Sequence, residues 1–262
     1  NGMNFVACLS AFEGQLIIGG TGLSAGGVPA RRVAAWDGQT WSALWQGGTN
    51  GALNALTQYN GGLAAAGHFD QIEGSLANRV AISTGGSWQP LGSGIGPSGS
   101  LVRALCAKGS ELFVGGSFAT AGGTTASNVA RWNGASWAGL GQGVDNSVNS
   151  VVSYGDDVVV GGNFTHAGGT AATGIARWDG LSWQVFSSGL ATPPPGWGPN
   201  PVVNAMCIYN GDLVVGGLFQ VAGGNTVNYI ARWSGLAWSA LGSGLDWYPS
   251  AMLVVGNELI VG

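Results

Sequence analysis

Leu213-Val-Val-Gly-Gly-Leu-Phe219, followed by Ala-Gly-Gly at 222–224, Ile230-Ala-Arg-Trp233 and Trp238, decides the fold, because the same run recurs upstream. Leu112-Phe-Val-Gly-Gly-Ser-Phe118 leads to Val129-Ala-Arg-Trp132 and Trp137, and Val158-Val-Val-Gly-Gly-Asn-Phe164 leads to Ile175-Ala-Arg-Trp178 and Trp183. Weaker copies open the chain: Ile17-Ile-Gly-Gly20 with Trp36 and Trp41, then Ala65-Ala-Gly67 with Ser83 and Trp88. The first residue of the doublet falls at 19, 66, 115, 161, 216 and 262, in steps of 47, 49, 46, 55 and 46. The Pro-rich insertion at 191–201 accounts for the long step. Self-similarity at a fixed period of this length marks a stacked or radial repeat architecture.

Each copy reads as four short strands, A to D. In the fifth, A is expected at 202–209, B at 212–219, C near 229–233 and D near 238–241. Asn210-Gly211 is a two-residue hairpin signal between A and B. Asn133-Gly134, Asp179-Gly180 and Ser234-Gly235 mark the turn before D. Four strands in this span make a propeller blade. The reading is one all-β domain over 1–262, a β-propeller of four-stranded antiparallel blades. Its repeats run approximately 2–51, 52–100, 101–147, 148–201, 202–247 and a partial 248–262. Six blades with the last incomplete in this chain is the expectation; five blades plus an extra hairpin is the alternative.

The composition agrees. Of 262 residues, 50 are Gly and only 8% are charged, against about 25% charged in an ordinary domain. The glycines lack the three-residue period of collagen, no apolar run is long enough for a membrane helix, and seven scattered Arg with one Lys make no footprint for nucleic acid. Cys8, Cys106 and Cys207 lack metal-ligand spacing and read as buried free thiols.

The motif of three apolar residues, Gly-Gly-x-Phe-x-x-Ala-Gly-Gly, then Ile-Ala-Arg-Trp-Asx-Gly-x-x-Trp, resembles the propeller repeats of the fungal cortical cell-polarity marker and of large secreted bacterial proteins. It is similar, more loosely, to kelch repeats. The resemblance implies a propeller, often exported and surface-attached, with binding or scaffolding roles. Ala66 and Ser83 depart from the pattern in the second copy.

Chemistry is sparse. Most acids sit at turns, where turn geometry explains them; Asp70, Glu73, Asp145 and Asp246 are less bound to the repeat. His68 and His166 are the only histidines and read as surface residues rather than metal ligands. Arg131, Arg177 and Arg232 recur beside Trp, which points to a cation–π or turn-carbonyl role, with a charged ring for ligand capture as the alternative. Nine of the twelve Trp belong to the repeat. The other three, Trp45, Trp197 and Trp247, follow strand D, and Tyr248 adjoins one of them. With His68 and His166 they form the candidate ligand face, since aromatics on loops suit stacking on sugar rings or docking a protein. The expected function is a non-catalytic extracellular or cell-surface module that binds or scaffolds protein or glycan. A lectin, or a subunit self-assembling through its terminal hairpin, is the alternative, and an enzyme is the least favoured reading. No cofactor, metal, nucleic acid or membrane insertion is implied.

Overall fold

The computed structural model describes residues 5–22, 24–44, 48–187, 189–191, 196 and 198–262. They are all-β, with no helix among them. Five four-stranded antiparallel sheets, each in the order A-B-C-D, stand among the described residues. Sheet 1 comprises Val6–Phe12, Gln15–Gly20, Val33–Trp36 and Trp41–Ala43. Sheet 2 comprises Ala52–Tyr59, Gly62–His68, Val80–Thr84 and Ser87–Pro90. Sheet 3 comprises Leu101–Lys108, Glu111–Ser117, Val129–Trp132 and Trp137–Gly139. Sheet 4 comprises Val148–Tyr154, Asp157–Gly162, Ile175–Trp178 and Trp183–Gln184. Sheet 5 comprises Val202–Tyr209, Asp212–Leu218, Ile230–Trp233 and Trp238–Ala240. A final A–B hairpin, Met252–Val255 with Glu258–Val261, forms a two-stranded sheet.

The chain divides into two compact units, Asn1–Ala126 with Ala130–Gly139, and Ser127–Val129 with Leu140–Gly262. In the first, Ile17, Leu53, Leu63, Phe69 and Trp88 make one buried cluster, and Val80, Val102, Leu112, Val114 and Trp137 another. In the second, Val159, Ile175, Val203, Leu213, Phe219 and Trp238 pack together. The middle of strand B is apolar in sheets 2 to 5 because both its faces are covered: in sheet 5, Leu213, Val214 and Val215 have no exposed surface.

The second Gly of the doublet answers to a β-bulge. Strand A slips register between Val102 and Ala104 opposite Gly116, and the same slip recurs in the other four sheets. A Cβ on Gly116 would collide with the Leu101 carbonyl oxygen. The Ala-Gly-Gly run forms a small hairpin, Thr120–Ala121 against Thr124–Thr125. Gly122 and Gly123 turn it with φ of +60° and +80°, the primed turn geometry of tight hairpins. A Cβ at Gly122 would also lie 2.8 Å from the Trp137 side chain, so the glycine and the strand-D tryptophan are one packing unit.

The paired Trp meet across the C–D hairpin. Trp132 lies opposite Trp137 in the register, with ring centroids 5.3 Å apart, and Trp36–Trp41, Trp178–Trp183 and Trp233–Trp238 repeat the contact at 5.2–5.4 Å. The indole N–H of Trp137 donates to the Leu91 carbonyl at 2.7 Å, that of Trp183 to Leu140 at 2.8 Å. Trp238 has no acceptor for its buried N–H. Phe186 occupies the position of Leu91 and Leu140 there, and its ring packs on Trp238 at 5.5 Å. Trp137→Phe is therefore expected to cost about 2 kcal/mol, for the lost area and the lost indole hydrogen bond, although the Leu91 carbonyl keeps the Gly94 N–H. Trp238→Phe should cost clearly less, since it also removes an unsatisfied donor. Paired urea denaturation curves would show this difference, and equal losses would refute it.

Candidate functional site

Trp247 and Tyr248 lie in the connection from sheet 5 to the final hairpin. Their rings stand 5.4 Å apart at 31°. Trp247 is 58% exposed, while Tyr248 is half-buried. The connection is pinned on both sides: the Leu245 N–H donates to the Asn228 carbonyl at 2.9 Å, and Asn204 Nδ2 reaches the Pro249 carbonyl at 3.4 Å. Pro249 is itself buried. A loop anchored in this way fixes the position of its aromatic pair. Trp45 and Trp197 lie outside the described residues.

His68 ends strand B of sheet 2 and is exposed. His166 is also exposed, and opens the small hairpin of sheet 4. Its Nδ1 lies 3.0 Å from Asp145 Oδ2. Asp145 also accepts the backbone N–H groups of Thr165 and His166, at 2.8 and 3.1 Å, and the Thr165 hydroxyl at 2.7 Å. Asn50 accepts the corresponding N–H groups of Asp70 and Gln71 in sheet 2, so the contact is a recurrent loop clamp. Partial burial alone would push the Asp145 carboxyl up, but the hydrogen bonds from Thr165 and His166 hold it at about 2. An unfolded Asp titrates near 3.9. The folded value is depressed, so this contribution to stability is present above about pH 4 and is lost as pH falls through about 2. Asp145→Asn keeps an acceptor for the backbone donors. The stability gap between wild type and this variant should shrink between pH 4 and 2 in thermal unfolding; a constant gap would contradict the assignment.

Of the other non-repeat acids, Asp70 has an ion-pair partner and Glu73 a turn position. Asp70 pairs with Arg79 at 2.7 Å. Glu73 turns its hairpin at φ +50°, in the place of a glycine, and burial raises its carboxyl. Asp246 is exposed. Asp179 clamps the turn before strand D, where the N–H groups of Ser182 and then Leu181 hold its carboxyl at about 2.

The recurring arginines correct the sequence expectation of a cation–π or turn-carbonyl role. Arg131 pairs with Glu111 at 2.9 Å, Arg177 with Asp157 at 2.8 Å and Arg232 with Asp212 at 3.2 Å. Each acid opens strand B, four residues before the first Gly of the doublet. Val159 is the register partner of Arg177, and Val214 of Arg232. Asp157 and Asp212 stand two residues earlier on the same face, within diagonal reach of the guanidinium. These acids, read as turn residues, are halves of a cross-strand pair. The charges come and go together: Ala35 and Ile82 replace the arginine where Gln15 and Gly62 replace the acid.

The three cysteines are thiols outside any disulfide, half-buried rather than fully enclosed. Burial pushes the Cys8 thiol up to about 12, which makes it a poor nucleophile. Among the described residues no three His, Cys, Asp or Glu side chains converge as a metal set, and no helix is long and apolar enough to cross a membrane.

No protein-family model and no curated protein sequence matches the chain. Solved structures do. The extracellular domain of a putative hybrid two-component system, BT4673 from B. thetaiotaomicron, superposes with a TM-score of 0.63 at 14% identity, over 99% of this chain and 30% of that one. The computationally designed protein Ika8 superposes with a TM-score of 0.60 at 17% identity, over 99% of this chain and 68% of that one. The chain thus spans about three tenths of the bacterial domain's length. At these identities the likeness is one of fold: an all-β array of small antiparallel sheets, propeller-like in form.

Proposed function

We propose that the chain is a non-catalytic extracellular or cell-surface β-propeller that binds or scaffolds protein or glycan. In this reading 1–262 is a single domain of six blades, five complete and the sixth represented by its A–B hairpin. The observation that carries the binding role is the exposed Trp247 stacked beside Tyr248 on an anchored connection. An aromatic face held ready for a sugar ring or an apolar side chain gives contact area at low entropic cost. The engagement of Asp70, Asp145 and Glu73 in holding loops supports a non-catalytic role, because each has a structural partner or turn to account for it. The extracellular placement draws on the BT4673 likeness and on the resemblance to exported repeats.

The test is an array of immobilised oligosaccharides probed with wild type and Trp247→Ala. Saturable binding by wild type, reduced at least about tenfold in the variant with unchanged thermal unfolding, supports glycan recognition by this platform. Silence on the array removes the glycan arm. The protein arm then stands on cross-linking of a surface partner that Trp247→Ala fails to capture. Binding that ignores the substitution overturns the platform.

A further inference from the structure

Sheets 2 to 5 each bury a phenylalanine two residues beyond the end of the glycine doublet: Phe69, Phe118, Phe164 and Phe219. Phe69 belongs to one apolar cluster with Ala65, Ile72, Ala77 and Ala81. Phe118 belongs to another with Val114, Ala121, Ala126 and Ala130. Sheet 1 has Gly22 at this place. The correspondence is fixed by pairing: Ile18 lies opposite Ala34 as Ala65 lies opposite Ala81. The Gly20 N–H also donates to the Arg32 carbonyl, as that of Gly67 does to Arg79, each at 3.0 Å. Ile18, Ala25, Ala30 and Ala34, the counterparts of the residues around Phe69 and Phe118, line a cavity of about 50 Å³ with Gly22 on its wall. It is a phenylalanine seat without its ring.

A charge is missing beside the ring. Asp70 follows Phe69 and pairs with Arg79 at 2.7 Å, whereas Leu23 follows Gly22. Arg32 holds the place of Arg79 and is posed alike. Its Nη1 donates to the Thr49 carbonyl at 2.6 Å, as Arg79 Nη1 donates to the corresponding Ile95 carbonyl at 3.3 Å. Arg79 turns its other terminal nitrogen to Asp70. Arg32 is half-buried and lines the cavity, and among the described residues it meets no carboxylate. Both losses are substitutions within sheet 1, at Gly22 and Leu23.

Sheet 2 supplies a ring and a carboxylate side by side from Phe69-Asp70; sheet 1 keeps the seat and the arginine and lacks both. We infer that this cavity binds a small aromatic carboxylate, an arylalkanoate. The edge of its phenyl ring enters beside Gly22, among Ala25, Ala30 and Ala34, and its carboxylate pairs with Arg32 at the mouth. An apolar wall seats the ring and one charged group fixes its direction, the usual division in small-ligand sites. Half-burial of the guanidinium strengthens a charge-assisted bond to the ligand. The site is separate from Trp247, so neither reading rests on the other.

The probe is hydrocinnamate, titrated into the full chain and followed by NMR at the backbone amides of Ile18, Ala25, Val33 and Ala34. Saturable one-to-one binding is expected, with a Kd of about 1 mM for a ligand of this size. Hydrocinnamamide keeps the ring and loses the charge, and should bind about threefold to tenfold more weakly. Propionate keeps the charge and loses the ring, and should not saturate up to about 20 mM. Arg32→Gln should reduce the acid to the level of the amide and leave the amide unchanged. Gly22→Phe returns a ring to the seat; it should abolish binding of both and raise the thermal midpoint, as filling a cavity does. Should Gly22→Phe fail to fold, Arg32→Gln with the acid and the amide decides alone. Three results would overturn the inference: no saturable binding of hydrocinnamate up to about 20 mM, equal binding of acid and amide, or undiminished binding by a folded Gly22→Phe.

Discussion

Gly116→Val is expected to lower the unfolding free energy by about 3 kcal/mol, the upper range for forcing atoms into a filled site. A Cβ there meets the Leu101 carbonyl, and main-chain atoms of Val102 lie just beyond. The obstacle is backbone, held in the bulge by the pairing of strands A and B, so it has no rotamer by which to yield. Valine otherwise suits a strand, which makes the expected loss a statement about the bulge and not about propensity. Gly123→Ala is the control. Its φ is +80° and nothing lies within 4 Å of the added carbon, so only the left-handed backbone opposes it, at about 1–2 kcal/mol. Urea midpoints for the two variants should therefore differ, with Gly116→Val the lower. An inverted order would mean that the doublet is there for conformation and not for close approach.

The bulge also marks how far the sequence could be read. A doublet at a constant place in each copy, with Asn210-Gly211 between two apolar runs, needs only local rules, and strands A to D fall within a residue or so of where those rules put them. The arginine–acid pairs were out of reach for a geometric reason. Arg177 and Asp157 are twenty residues apart, and nothing but the register of Val159 opposite Arg177 puts them on one face. One internal signal did exist: acid and arginine are lost together in the first two copies. The turn into strand C is a second hidden feature. Arg32, Arg79, Asn128, Gly174 and Tyr229 precede it with φ between 66° and 79°. Glycine, the usual marker of such a backbone, stands at only one of the five. Of the candidate ligand residues, the structure brings Trp247 and Tyr248 together. His166 is held instead by Asp145 in a clamp whose counterpart, Asn50, carries no charge.

Asp70→Asn is expected to be the costliest single change at a charged residue, about 2 kcal/mol. Arg79 is a buried cation: its side chain is 6% exposed, against 54% for Asp70. One guanidinium nitrogen reaches Asp70 at 2.7 Å and another the Ile95 carbonyl at 3.3 Å, while Nε is buried without a partner. Removing the carboxylate leaves the guanidinium desolvated and uncompensated, a loss of about 3–5 kcal/mol for a fully buried pair; the solvent around Asp70 reduces that. The asymmetry of burial makes a sharper test than the single value. Arg79→Met keeps the bulk and removes the buried charge, leaving a carboxylate that water can solvate. It should cost less than Asp70→Asn, and the double variant should be more stable than Asp70→Asn alone. If the double variant proves the least stable of the three, the arginine contributes mainly through its contact with Ile95 and its packing, and the ion pair is incidental to the sheet it joins.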